Sequence, residues 1–134
     1  MKQKILIVED DSAFYNLCAT ALQLKGYEVS HVLDAAIAIE QIRQIKPDLI
    51  LLDIMLPNKS GLEVLQEMKA DEELKDIKVV MLTNFGTEDN VNKAIELGAD
   101  DYFMKYNIVP SELGDKVGAI LGSDPKSATI RVTS

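Results

Sequence analysis

The sequence has one cysteine, Cys18, and one histidine, His31, among 134 residues. A single thiol excludes a disulfide framework and a cysteine-based zinc site within the chain. No apolar run is long enough to cross a bilayer, and the opening MKQKILIVEDD turns acidic too early for a secretory signal. Positive charge is scarce as well: 14 Lys and Arg stand against 22 Asp and Glu, a net charge of −8. Nucleic-acid backbones are held by clustered Lys and Arg, so this domain is not expected to bind nucleic acid by itself. The same surplus of carboxylates permits a divalent cation wherever several of them converge. No internal repeat is present. These absences leave a reduced, cytoplasmic domain without membrane contact, long enough to bury one core. Its 47% apolar and 27% charged content is ordinary for such a domain.

The chain is organised around DLILLDIMLP, residues Asp48–Pro57. Leu49 to Leu52 run unbroken into Asp53, the pattern of a strand buried on both faces, as parallel sheets require. Three further apolar runs, Lys4–Val8, Ile77–Leu82 and Asp101–Met104, read as strands, and the alternating Tyr27–Val32 reads as a strand at the sheet edge. Helical spacing fills the gaps between them. Ser12–Lys25 carries Phe14, Leu17, Cys18, Ala21, Leu22 and Leu24 and stops at Gly26. A second helix runs from about Asp34 to Ile45 on Ile37, Ile39, Ile42 and Ile45, with Pro47 as its stop. A third spans about Gly61 to Ala70 on Leu62, Val64, Leu65 and Met68. A fourth, capped by Thr87, carries Val91, Ala94, Ile95 and Leu97 and ends at Gly98. A fifth begins at Pro110 and carries Leu113, Val117, Ile120 and Leu121. The acidic stretch Asp71–Asp76 reads as a solvated loop, and residues 123–134 as a flexible tail or the start of a linker after a domain of residues 1–122. Five βα repeats predict an α/β domain: a flavodoxin-like (βα)5 three-layer sandwich with a five-stranded parallel sheet in the order 2-1-3-4-5.

All strands of a parallel sheet deliver their C-terminal ends to one edge. There the first strand brings Glu9 and Asp10, the third Asp53, the fourth Thr83 and the fifth Lys105. Converging carboxylates repel unless a cation joins them, and with only oxygen ligands nearby the natural one is Mg²⁺. Lys105 adds an ammonium and Thr83 a hydroxyl donor. A metal, an ammonium and a hydroxyl around a carboxylate make a cradle for a phosphoryl group, with Asp53 as the attacking carboxylate. Each residue also has a plainer reading. Asp11 and Ser12 suit a helix N-cap, strand-end Thr and Lys are common, and Tyr102 is equally a half-buried strand aromatic. His31, on the edge strand and away from the site, reads as structural.

ILIVEDD, LILLDIMLPNKSG, VVMLTN and GADDYFMK, in this order and spacing, resemble the receiver domain of two-component response regulators over residues 4–121. The resemblance implies that Asp53 accepts the phosphoryl group and that Asp10 and Asp53 ligate Mg²⁺. It also implies a third ligand in the main-chain carbonyl of Met55, with Glu9 acting through water. Thr83 would hydrogen-bond the attached phosphoryl group and Lys105 would pair with it. Tyr102 matches the aromatic that turns inward on switching. The domain would take its phosphoryl group from a sensor histidine kinase or a histidine phosphotransfer protein, and would be a signalling phosphoacceptor, not an enzyme acting on outside substrates. Its output face would be formed by the fourth helix, fifth strand and fifth helix. Glu88, Asp89, Lys93 and Glu96 give that face a charged surface suited to a partner or a homodimer.

The chain departs from the family pattern in three places. Tyr106 follows Lys105 where proline with a cis peptide is usual, leaving a trans or a strained loop. Asn84 follows Thr83 where a small residue is usual. Phe85 and Met55 flank the site with apolar bulk, from which slow hydrolysis of the acyl phosphate is expected. Three other functions compete with this reading. A Mg²⁺-dependent phosphohydrolase with an Asp nucleophile would want a second carboxylate where Met55 stands, and an insertion for a cap. A phosphorylation-independent binding module would not need Asp53, Thr83 and Lys105 together. A flavin or nucleotide carrier would want glycines, where this chain has acids after its first strand.

Overall fold

A computed structural model describes residues 2–84 and 88–122, Glu88 by its backbone alone. The expected Thr87 cap, Phe85 and the segment 123–134 lie outside the described residues. Strands β1 (Lys4–Val8), β2 (Glu28–Val32), β3 (Leu49–Asp53), β4 (Lys78–Thr83) and β5 (Asp101–Met104) alternate with helices α1 (Ser12–Leu24), α2 (Ala38–Ile45), α3 (Gly61–Lys69), α4 (Glu88–Glu96) and α5 (Pro110–Leu121). The strands form one parallel sheet in the order β2-β1-β3-β4-β5, as expected.

The period-two geometry of strands divides the core between the two faces. Leu6, Val8, Ile50, Leu52, Val79 and Met81 point to one face and pack with Ile42 of α2, Val64, Leu65 and Met68 of α3, and Ala94 of α4. Ile5, Ile7, Leu49, Leu51, Val80 and Leu82 point to the other and meet Cys18 and Leu22 of α1 and Leu113 and Val117 of α5. Every residue of β3 is buried, because this central strand is covered on both sides. A one-residue slip of β3 would exchange the two faces, so its register, and with it the height of Asp53, is fixed by packing. The Cys18 thiol lies wholly inside this core, where burial pushes it up to about 12.

Several expected helix anchors are on the surface. Leu24 is 83% exposed, and Leu17, Ile37 and Ile95 are close to half exposed. Ile37 is out of phase because the segment opens as a 3-10 turn, Ala35–Ile37, capped by the Asp34 carboxylate, before α2 begins at Ala38. Three residues per turn rotate Ile37 away from the face that Ile42 occupies. Ala19, in contrast, is buried. The acidic stretch after α3 is not simply solvated: Leu74 is buried within it. Asp71 accepts the Glu73 N–H at 2.8 Å and ion-pairs with Arg43, which holds its carboxyl below the usual range. Gly26 and Gly98, after α1 and α4, adopt φ of 95° and 106°, the left-handed conformation that ends a helix at little steric cost.

Candidate functional site

Each residue expected at the site leaves the sheet at its C-terminal edge. β1 ends at Val8, and the next residue, Glu9, is drawn beneath the surface with its N–H on the Val32 carbonyl at 3.0 Å. Glu9 is fully buried. Its Oε1 accepts the Asp11 N–H at 3.0 Å, and Asp11 in turn caps α1 by accepting from Ala13 and Phe14. Asp11 is thus the helix cap that its position suggested, and Asp10 remains exposed beside it. Asp53 closes β3 at 3% exposure, its Oδ1 accepting the Met55 N–H at 3.0 Å. Thr83 closes β4 and is equally enclosed.

Lys105 opens a 3-10 turn, Lys105–Asn107, directly after β5 and reaches back across the site. Its Nζ lies 2.8 Å from Glu9 Oε2 and 3.2 Å from Asp53 Oδ2, and 4.7 Å from the centroid of the Phe14 ring. Glu9, expected only to assist through water, is therefore the nearer partner of the ammonium. Burial opposes the charge on Lys105, but Glu9 and Asp53 outweigh it and raise its pKa. Burial pushes the Glu9 carboxyl up to about 7. The Lys105 ammonium and the Asp11 N–H act against that rise, and the Asp53 charge adds to it.

The raised Glu9 pKa gives a signed expectation. Between about 4.5 and about 7 the folded protein holds more proton on Glu9 than the unfolded chain, so this group's contribution to stability falls as pH rises through that window. In cation-free buffer, Glu9→Gln should gain in Tm relative to the wild type as pH is raised from about 5 to about 8. A variant that loses ground over that range would contradict the assignment.

The carboxylates of Glu9, Asp10 and Asp53 each offer an oxygen within 4.8 Å of the others. Such a set, all hard oxygens and surplus negative charge, fits a Mg²⁺-sized divalent cation. Met55, two residues after Asp53, is 65% exposed, and Tyr106, next to Lys105, is 69% exposed. No cis peptide occurs among the described residues, so the Lys105–Tyr106 bond is trans. Tyr102 is 38% exposed and points outward. His31 is the residue that the sequence placed wrongly: its Nε2 lies 2.7 Å from the Glu9 carbonyl oxygen, at the edge of the site. A period-two strand puts His31 on the α1 face, but the β1–β2 register that brings it to Glu9 could not be read from one sequence.

The fold agrees with three comparisons. The family model for the response regulator receiver domain matches residues 5–117. The phosphate regulon transcriptional regulatory protein PhoB of Pseudomonas aeruginosa is 44% identical over 117 residues, 87% of this chain and 51% of its own length. The chain thus spans about half the length of the curated relatives it matches. Among solved structures, a CheY-like response regulator receiver domain protein from Methanospirillum hungatei superposes with a TM-score of 0.86 at 30% identity, covering 94% of this chain and 98% of its own. The phosphorylated cyanobacterial phytochrome response regulator RcpA gives 0.77 at 37% identity, covering 90% and 91%. With the 2-1-3-4-5 sheet and the clustered acids at its C-terminal edge, this chain belongs to the receiver domains of two-component response regulators.

Proposed function

We propose that the domain is a phosphorylation-driven switch that takes a phosphoryl group onto Asp53 from a phosphohistidine of a sensor kinase or a histidine phosphotransfer protein. The observation that carries this reading is the buried Asp53 carboxylate, at once within reach of the Lys105 ammonium and beside two further acids. An Asp53 oxygen attacks phosphorus as the P–N bond to the donor imidazole breaks, and the electron pair leaves on the imidazole nitrogen. The Met55 N–H, bonded to Oδ1, holds the carboxylate plane in place for this attack. Asp10, Asp53 and the Met55 carbonyl, with Glu9 through water, would hold Mg²⁺, which supplies charge neutralisation to the transferring oxygens when bound. Lys105 supplies a second positive charge from the β5 side, and the Thr83 hydroxyl would hydrogen-bond the phosphoryl group once attached. The relative RcpA has been seen phosphorylated, which supports the same chemistry here.

Switching would then follow from charge: an acyl phosphate on Asp53 would compete for Lys105 and Thr83, and the exposed Tyr102 would follow Thr83 inward. The face of α4, β5 and α5 would report the change. Asp89, Lys93 and Glu96 are exposed on it, and Lys116 of α5 sits 3.3 Å from Asp101 and 4.6 Å over the Phe103 ring. Such a charged face suits a regulated contact with a second copy or an output partner. The deciding experiment is intact mass after incubation with acetyl phosphate, with and without Mg²⁺. One phosphoryl adduct that requires Mg²⁺ and vanishes in Asp53→Asn is the expected result. Folded protein that binds Mg²⁺ and never forms the adduct would instead make the domain a phosphorylation-independent binding module.

A further inference from the structure

We propose that His31 is a positioning residue of the acidic site: it donates its Nε2–H to the Glu9 carbonyl and so fixes the turn that presents Glu9 and Asp10 to the divalent cation. The proposal rests on the reading of the site given above. A carbonyl only accepts, so the 2.7 Å contact requires the proton on Nε2. The β1–β2 ladder ends at the Val8–Val32 pair. Beyond it, the Glu9 N–H still reaches the Val32 carbonyl, but the Glu9 C=O is met by a side chain in place of a strand N–H. Both main-chain groups of Glu9 are therefore held by consecutive residues of one strand. Its Oε1 is fixed from the other side by the Asp11 N–H.

The imidazole is itself oriented. It stacks on the Tyr15 ring of α1 at 3.7 Å between centroids and 3° between planes. Offset or parallel aromatic contact of this kind restricts the ring rotation that would otherwise let Nε2 leave the carbonyl. Tyr15 belongs to the helix that Asp11 caps, so the ring, the cap and the acidic turn form one closed unit. Outer hydrogen bonds of this sort set the direction of metal ligands, and their loss lowers metal affinity.

Mg²⁺ titrations followed by Tm, together with the Mg²⁺ dependence of acetyl phosphate labelling, test the role. His31→Phe keeps a ring to stack on Tyr15 and removes the donor. It should raise the Mg²⁺ midpoint about three- to tenfold while leaving the labelling rate at saturating Mg²⁺ unchanged. His31→Gln, which retains an N–H donor, should recover most of the affinity. A His31→Phe midpoint equal to that of the wild type would overturn the proposal, as would an equal loss in His31→Gln. If the wild type binds Mg²⁺ but takes no phosphoryl group, the phosphoacceptor reading fails, while the ratio of midpoints still decides the role of His31. A wild type with no Mg²⁺ response overturns the positioning role outright.

Discussion

Lys105→Met is expected to cost the cation-free protein about 2–3 kcal/mol near pH 8, measured by denaturant unfolding. The ammonium is the only cation seen between the Glu9 and Asp53 carboxylates among the described residues, and its side chain is 8% exposed. Removing one partner of a buried pair leaves charge uncompensated in a poor dielectric, which usually costs more than the pair contributed. The loss should fall short of that for a fully buried pair because Glu9 has a second route to neutrality. Its pKa already stands near 7, and without Lys105 it would rise further and take up a proton. The penalty should therefore be smaller near pH 6 than near pH 8. Saturating Mg²⁺ should stabilise Lys105→Met more than the wild type, because a divalent cation replaces the missing charge where the wild type already has one. Equal stability of the two proteins without cation would mean that Lys105 does not neutralise the cluster. The same variant should still accept a phosphoryl group on Asp53, more slowly, since the oxygens in transfer lose one of their two positive partners.

That pair also marks how far the sequence could be read. Strands β1 and β5 were legible to the residue, and the delivery of Glu9, Asp10, Asp53, Thr83 and Lys105 to one sheet edge followed from parallel topology alone. Apolar runs closed by polar residues carry that information locally. Which carboxylate Lys105 would favour did not follow, because the reach of a flexible four-carbon stem is settled by what surrounds it. Here the Phe14 ring and the buried Glu9 draw it to one side. Ile37 and Leu24 were misjudged for a different reason. Helical periodicity assumes one phase along a segment, and the 3-10 turn at Ala35–Ile37 breaks that phase before α2 starts. Leu24 lies two residues beyond the buried Leu22 in α1, roughly 200° further round the helix, and so turns to solvent. His31 was hidden for a third reason: its meaning lies in a contact between two chain segments 22 residues apart, which only the β1–β2 register creates.

Gly61→Ala should be as damaging as the charge deletion, although it adds a single methyl group. Gly61 is the first residue of α3, and on helix propensity alone Ala in place of Gly should stabilise by up to about 1 kcal/mol. Its φ is not in the left-handed region, so conformational freedom does not explain the glycine. Space does: a Cβ there would lie 2.0 Å from the Asp53 carbonyl oxygen, 2.8 Å from the carbonyl carbon and 3.0 Å from Ile54 Cα. All three are backbone atoms, and the Gly61 N–H is already tied to the Ile54 carbonyl at 3.0 Å, so neither side can yield by turning a rotamer. The start of α3 and the end of β3 must separate, at a net cost of about 3 kcal/mol. The displaced peptide is that of Asp53, and a shift near 1 Å at a reacting group lowers rates by roughly 100-fold. Gly118→Ala provides the control. Gly118 is also helical, in α5, and its nearest contact would be the Tyr27 hydroxyl at 3.5 Å, an ordinary van der Waals distance. The same substitution should there leave stability unchanged or raise it by up to about 1 kcal/mol. Opposite signs in the two variants, read from unfolding midpoints, would identify the close approach of α3 to the Asp53 backbone as the reason for glycine. If Gly61→Ala matched Gly118→Ala in stability and in labelling rate, the helix would be free to move, and Asp53 would owe its position to the register of β3 alone.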